Sequence, residues 1–201
     1  LDLFYMQKIP VKSIVITGTN GKSTACKLTH HILKTNKLDV KLGGNIGKPV
    51  LDLKVKRKSI VIIEASSFQL SYTTFIKPNI AAVLNISSDH LDWHNSIANY
   101  QNSKFKIFSK QDRNDIALLG NKALIKLFYK KKYLSKLKII KRDFLYNKIK
   151  QKITNSYLIS EPNLENVMFA YQLSKILKVK KKTFLKAVNN FKGLPHRHEI
   201  F

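Results

Sequence analysis

Cysteine is almost absent. Cys26 has no partner in the chain, which excludes a disulfide framework and points to a reducing, cytoplasmic setting. Long apolar runs are also missing: Ile60–Ile63 and Ile80–Leu84 are strand-length, far short of the ~20 residues a spanning helix needs. No secretory leader pattern is visible. Acidic residues are scarce, 12 against 37 basic ones, giving a net charge of +25. That balance raises nucleic acid or an anionic surface as a partner. Arginine, however, is confined to Arg57, Arg113, Arg142 and Arg197, and bidentate recognition of bases and phosphates favours arginine over lysine. The lysines spread along the chain, in stretches such as Lys130–Lys132 and Lys178–Lys182 where surface helices or loops are expected. The charge therefore reads as a solvated surface, with neither nucleic acid nor membrane as partner.

What is present is enough apolar residue, 44% of 201, for one sizeable core. Strand-like runs alternate with helical stretches, which predicts an α/β fold with a mostly parallel sheet flanked by helices. Strands are expected at Ile14–Thr17, Ile60–Glu64, Ile80–Asn85, Ile116–Leu119 and Tyr157–Ile159. Helices are expected at Lys22–Lys34, Ile97–Phe108, Asn163–Leu177 and Lys181–Phe191. Between Asn121 and Ser156 the apolar residues fit neither period. Both ends read as unfinished, Leu1–Met6 as the tail of an upstream element and the residues after Pro195 as the start of another strand.

The run from Ile14 to Thr24 places a buried strand before a glycine-rich turn and a helix after it, the context a phosphate loop requires. In Thr17-Gly18-Thr19-Asn20-Gly21-Lys22-Ser23-Thr24 the glycines let backbone approach an anion, Lys22 can reach terminal phosphates, and Ser23 offers a hydroxyl to Mg²⁺. The spacing is two residues shorter than the common form of the motif. Glu64 ends a second buried strand, where open α/β sheets bind ligands, and can share Mg²⁺ with Ser23. A third strand delivers Asp89, His90 and Asp92 to the same edge, with His90 a candidate ligand.

These residues resemble the ATP-dependent Mur ligases. The short loop is that family's form, and four further stretches agree: Gly43-Gly44-Asn45-Ile46-Gly47, Glu64-Ala65-Ser66-Ser67-Phe68-Gln69-Leu70, Asp89-His90-Leu91-Asp92 with Lys104 downstream, and Gly193-Leu194-Pro195-His196-Arg197. The resemblance implies a P-loop NTPase-like central domain over 13–195, preceded at 1–12 by a linker from a UDP-binding domain and followed at 196–201 by the start of an amino-acid-binding domain. It implies ATP with two Mg²⁺ sites. Gly18, Thr19, Asn20, Gly21, Lys22, Ser23 and Thr24 would hold the phosphates; Asn163, Asn166 and Arg197 would line the ATP site. Ser23 and Glu64 would hold one Mg²⁺, His90 and Lys104 the other, and Asn45 and Ser66 would lie near the nucleotide sugar. Pro162 and His198 depart from the family pattern at the edge of the nucleotide pocket. Helix capping is the plain alternative for Asn163 and Asn166.

The Ser-Ser-Phe-Gln-Leu and Leu-Pro-His-Arg stretches point to the branch that joins D-glutamate to UDP-N-acetylmuramoyl-L-alanine in peptidoglycan synthesis, through an acyl phosphate. Another Mur ligase or folylpolyglutamate synthase is the alternative within the enzyme class, and a basic nucleic-acid-binding P-loop protein outside it. Lys104 is expected to be carboxylated on its side-chain nitrogen. On a helix over Ile97–Phe108 it falls on one apolar face with Ile97, Tyr100, Ile107 and Phe108, opposite Lys106. Desolvation there, and a Mg²⁺ near His90, would favour the neutral amine that adds CO₂. The resemblance implies the same modification, fourteen residues after His90.

Overall fold

Isoleucine and valine dominate the three central strands, β1 (Lys12–Thr17), β3 (Ile60–Glu64) and β4 (Ile80–Val83), which are buried along nearly their whole length. Such strands suit a parallel sheet covered on both faces. In the computed structural model, which describes residues 1–194, they form the centre of a six-stranded sheet ordered β2-β3-β1-β4-β5-β6. The other strands are β2 (Val40–Gly44), β5 (Ile116–Leu119) and β6 (Lys136–Ile139), and every pairing is parallel.

Side chains alternate across the sheet and feed two cores. Ile14, Ile16 and Ile62 pack on one side with α2 (Lys22–Thr35), α8 (Glu161–Ile176) and α9 (Lys181–Asn189). Val15, Val61, Ile63 and Val83 pack on the other with Phe105, Phe108 and Phe128. Those rings come from α5 (Ile97–Phe105), the 3-10 turn Lys106–Phe108 and α6 (Lys122–Lys130). Each fully buried ring stabilises the fold by about 1.5 to 3 kcal/mol. Three short helices, α1 (Asp2–Met6), α3 (Ser67–Ser71) and α4 (Leu91–His94), complete that side, and α7 (Phe144–Lys150) follows β6. No described helix is long and apolar enough to cross a membrane.

Four expectations change. Tyr157–Ile159 is not a strand: residues Ser156–Leu158 form a 3-10 turn, because the Asn155 amide donates to the carbonyls of Val188 (3.0 Å) and Phe191 while its oxygen accepts from Tyr157 N (3.1 Å). The long helix over Ile97–Phe108 tightens after Phe105, and Ile97 is 38% exposed rather than buried in the apolar face. β2 and β6 are strands the sequence hid: β2 ends in a glycine pair, and β6 carries two lysines. The unreadable stretch after Asn121 resolves into α6, β6 and α7.

Candidate active site

β1 delivers the chain into the loop at Thr17, and Gly21, at φ +81°, starts α2. A Cβ on Gly21 would sit 2.4 Å from Asn166 Oδ1, so only glycine fits beneath α8. No side chain caps α2 and its first turn has no acidic residue. Its leading N–H groups are thus arranged to meet an anion.

Two ammonium groups converge on one loop carbonyl. Lys22 Nζ donates to Gly18 O at 3.0 Å and Thr19 O at 2.7 Å, and Lys104 Nζ donates to Gly18 O at 2.9 Å. Lys104 is 1% exposed and lies 4.5 Å from the Tyr100 ring centroid. Burial, then the Lys22 charge, push its pKa down to about 7, with Asp89 opposing. Lys104 thus points inward, as its helical spacing predicts. Lys106, placed on the far side, also finds cover, donating to the carbonyls of Ser71 and Thr73.

Asn85, at the end of β4, staples the loop. Its Oδ1 accepts from Asn20 N at 2.9 Å, its Nδ2 donates to Asn20 O at 3.2 Å, and its carbonyl accepts from Thr19 N at 2.9 Å. The Tyr100 hydroxyl meets Thr19 Oγ1 at 3.1 Å, and Thr19 Oγ1 also accepts from Ser87 N. Sequence reasoning assigned neither Asn85 nor Tyr100; an Asn beside the acidic strand end was the available signal.

Glu64 is 2% exposed, and its Oε1 accepts from Asn45 Nδ2 at 3.2 Å. Its Oε2 is buried without a hydrogen-bond partner among the described residues. A buried carboxylate oxygen with one unmet side suits a hard cation such as Mg²⁺. The turn over it is glycine because nothing else fits: Gly44 has φ +105°, and a Cβ would fall 2.3 Å from Glu64 O. That close approach brings Asn45 onto Glu64, with Asn45 N donating to Glu64 O at 2.8 Å.

His90 starts α4 at φ +53°, its Nε2 3.5 Å from Asp89 Oδ2 and its ring centroid 4.8 Å from that of Phe68. His94, one turn on, was not singled out from sequence. It is 4% exposed, its Nε2 lies 3.0 Å from Ser67 Oγ, and burial first, then Lys104 and His90, depress its pKa. Ser66 shapes the backbone: its Oγ accepts from Gln69 N at 3.2 Å while Gln69 Oε1 accepts from Ser66 N at 3.0 Å, a capping box for α3. Among the described residues no three His, Cys, Asp or Glu side chains gather as a metal cluster. Glu64 and His90 stand at different strand ends, each able to contribute one ligand.

Beside the start of α2 opens a cavity of about 1130 Å³, lined by Asn20, Gly21, Thr24, Tyr157, Asn163 and Asn166 among others. Asn163 Nδ2 donates to Tyr157 O at 2.7 Å, and Asn166, 4% exposed, donates to Asn163 Oδ1 at 3.4 Å. The pair belongs to the cavity wall and does not cap α8. Pro162 stands in the first turn of α8, where a missing N–H costs nothing. Arg197 and His198 lie outside the described residues.

Residues 16–174 match the model of the Mur ligase middle domain. The chain is 35% identical over 215 residues to UDP-N-acetylmuramoylalanine–D-glutamate ligase of Rickettsia felis, covering 98% of this chain and 48% of that protein. It is 35% identical over 200 residues to the ligase of the same name from Aquifex aeolicus, covering 94% and 47%. The chain thus spans about half the length of the curated relatives it matches. In fold it is similar to the crystal structure of a UDP-N-acetylmuramate:L-alanyl-gamma-D-glutamyl-meso-diaminopimelate ligase from Neisseria meningitides (TM-score 0.72, 14% identity, 96% of this chain and 70% of that one). It is also similar to a MurF ligase from Thermotoga maritima in complex with ADP (TM-score 0.70, 17% identity, 95% and 51%).

Proposed function

The chain belongs to the Mur ligase family by its middle domain, and from that premise we propose that it binds ATP with Mg²⁺ and serves in joining D-glutamate to UDP-N-acetylmuramoyl-L-alanine. The observation that carries the reading is the loop itself: an uncapped α2 N-terminus with Lys22 and Lys104 both held at the Gly18 carbonyl. In the first step the L-alanyl carboxylate attacks the γ-phosphate, the bond to ADP breaks, and an acyl phosphate forms. The D-glutamate amine then displaces phosphate and releases a proton.

This chain's residues work mainly on the first step, by position and charge. The loop 17–24 cradles the phosphates, and Lys22 moves its ammonium from backbone carbonyls to the β and γ phosphates. Ser23 and Glu64 would hold one Mg²⁺, His90 and carboxylated Lys104 the other, and the metal neutralises phosphate charge when bound. The Lys104 ammonium loses a proton, the neutral nitrogen adds CO₂, and a second proton leaves that nitrogen to solvent, giving a carbamate anion. Asn45, held on Glu64, and Ser66 border the nucleotide sugar. Asn163 and Asn166 line the ATP side, and by the family motif Arg197 would join them. The setting is cytoplasmic.

Phosphate release measured with UDP-N-acetylmuramoyl-L-alanine and ATP, with this chain joined to a UDP-binding and an amino-acid-binding domain, tests the reading; the chain alone should bind MgATP without making the amide. D-glutamate should stimulate it, and L-lysine, meso-diaminopimelate, a folate and RNA should not. Preference for a diamino acid would move the protein to a sister ligase. Stimulation by a folate would move it to folylpolyglutamate synthesis, and stimulation by RNA alone would refute the ligase reading.

A further inference from the structure

The sequence scatters its lysines, but the fold collects them. In an all-parallel sheet each helix that returns the chain to the next strand must end at the same, N-terminal edge. α2 returns β1 to β2 and α6 returns β5 to β6, while α1 enters β1 from that side. α8 begins at the nucleotide cavity, and Phe191, just past α9, lines it too, so the turn between them lies at the far end.

Four of the helices that reach this edge, α1, α2, α6 and α8, close on a lysine in the left-handed region, Lys8 (φ +49°), Lys37 (+59°), Lys132 (+53°) and Lys178 (+59°), whereas α5, which returns β4 to β5, runs into a 3-10 turn instead. Each is exposed and stands one residue past its helix's C-cap. Two of the closures are full Schellman motifs: Lys37 N and Leu38 N donate to Lys34 O (2.8 Å) and Leu33 O (3.1 Å), Lys178 N and Val179 N to Lys175 O (3.1 Å) and Ser174 O (2.9 Å), while Lys8 N and Lys132 N donate to Tyr5 O (3.3 Å) and Tyr129 O (3.0 Å). Glycine is the usual occupant, yet none of the 7 glycines stands at any of these positions. The backbone strain of a side chain there exceeds what the helix dipole returns to a lysine.

Little opposes this charge at the same edge. Asp39 is paired with Lys41 at 2.8 Å, Asp112 with Lys77 at 2.6 Å, and Asp115 is buried. Glu64, Asp89, Glu161 and Glu165 belong to the opposite edge. Close in sequence to these turns are three exposed apolar side chains, Met6 (54%) beside Lys8, and Tyr129 (62%) and Leu134 (61%) on either side of Lys132.

We propose that the N-terminal edge of the sheet is a docking surface for an anionic phospholipid membrane, with the lysines meeting headgroups and Met6, Tyr129 and Leu134 entering between them. Compact lysine charges suit dispersed headgroups, whereas the arginines that suit nucleic-acid phosphates are few. Exposed Met and Leu have a place in a headgroup layer and none along a phosphate backbone. Docked this way, the phosphate loop faces water at the other edge. The proposal replaces the sequence expectation of no membrane partner, which weighed the lysines along the chain rather than in space, and it is independent of the ligase reading.

The test is co-sedimentation of the full chain with phosphatidylcholine vesicles, with and without phosphatidylglycerol. Binding should require the anionic lipid and fall with added salt. The triple variant Lys37→Gly, Lys132→Gly, Lys178→Gly should lose binding by on the order of 100-fold, roughly fivefold per lysine. Its thermal stability should hold or rise, because glycine relieves the strained turns; a purely capping role for these lysines predicts no change in binding. Lys48→Gln, Lys122→Gln, Lys141→Gln, which removes equal charge elsewhere, should retain most binding. Leu134→Ser should weaken vesicle binding and leave any RNA capture unchanged. Equal losses in the two triple variants, indifference to phosphatidylglycerol, or RNA binding that outcompetes vesicles at the same salt would overturn the proposal.

Discussion

Replacing Lys104 by Met removes a buried ammonium while keeping its length, and the variant should fold more stably than the parent. A shift from 10.5 to about 7 means that the folded state gives up its proton far more readily than the unfolded chain. Below about pH 7 both states are protonated and the burial penalty is complete, on the order of 4 to 5 kcal/mol at 1.36 kcal/mol per unit. As pH rises from 7 towards 10.5 the unfolded chain still holds the proton that the folded one has lost, so the parent's stability climbs and the penalty fades. The variant also gives up the bond to Gly18 O, about 1 kcal/mol. The net gain is therefore roughly 3 kcal/mol at pH 6 and about 1 kcal/mol at pH 9. For a domain of this size that is a rise in Tm of roughly 6 to 12 °C at pH 6. Thermal unfolding in carbonate-free buffer across this range measures it. Added bicarbonate near pH 8 with Mg²⁺ should then stabilise the parent alone, through the carbamate, and carbon-13 NMR with labelled bicarbonate should show that adduct. A gap between variant and parent that is independent of pH, or a variant less stable at pH 6, would refute the reasoning.

Lys22→Ala should weaken ATP binding by ~1.5 to 3 kcal/mol, the range for a charge-assisted contact, as read by calorimetry. Gly44→Ala should destabilise the protein by about 2 kcal/mol or more in denaturant unfolding, since both its φ and the Glu64 backbone oppose a Cβ. Ser66→Ala should cost about 1 kcal/mol of stability by losing the cap of α3; an unchanged KM for the nucleotide sugar would confine Ser66 to capping. In the ligation assay D-glutamate should be accepted and meso-diaminopimelate refused, which product analysis decides.

The central strands and the phosphate loop were legible because their chemistry is local. Ile14–Thr17 and Ile60–Glu64 are β-branched runs of strand length, and Gly18, Gly21 and Lys22 stand where a strand turns into a helix. Lys104 was legible by helical spacing, although Ile97, read on the same face, is exposed because α5 starts beside a solvated turn. What stayed hidden depends on distant partners. Val40–Gly44 becomes a strand only because β3 offers an edge to it, and Tyr157 leaves the strand state because Asn155 is tied to the end of α9. Asn85 gained its role from a loop 65 residues away. Ser66 carried a family motif, whereas its local bonds with Gln69 reveal a cap. The placement of Lys37, Lys132 and Lys178 at one edge was hidden for the same reason: that edge exists only after the sheet has formed.

The Gly18 carbonyl accepts from two ammonium groups of different origin, one on the helix that follows it and one 86 residues away. A carbonyl polarised by two cations should vibrate at lower frequency than its neighbours, and it should shift upward when either nitrogen leaves. Phosphates drawing off Lys22 and CO₂ capping Lys104 are two such departures. Isotope labelling of this single peptide group would make the loop its own infrared gauge, resolving nucleotide arrival and lysine carboxylation as separate displacements of one band.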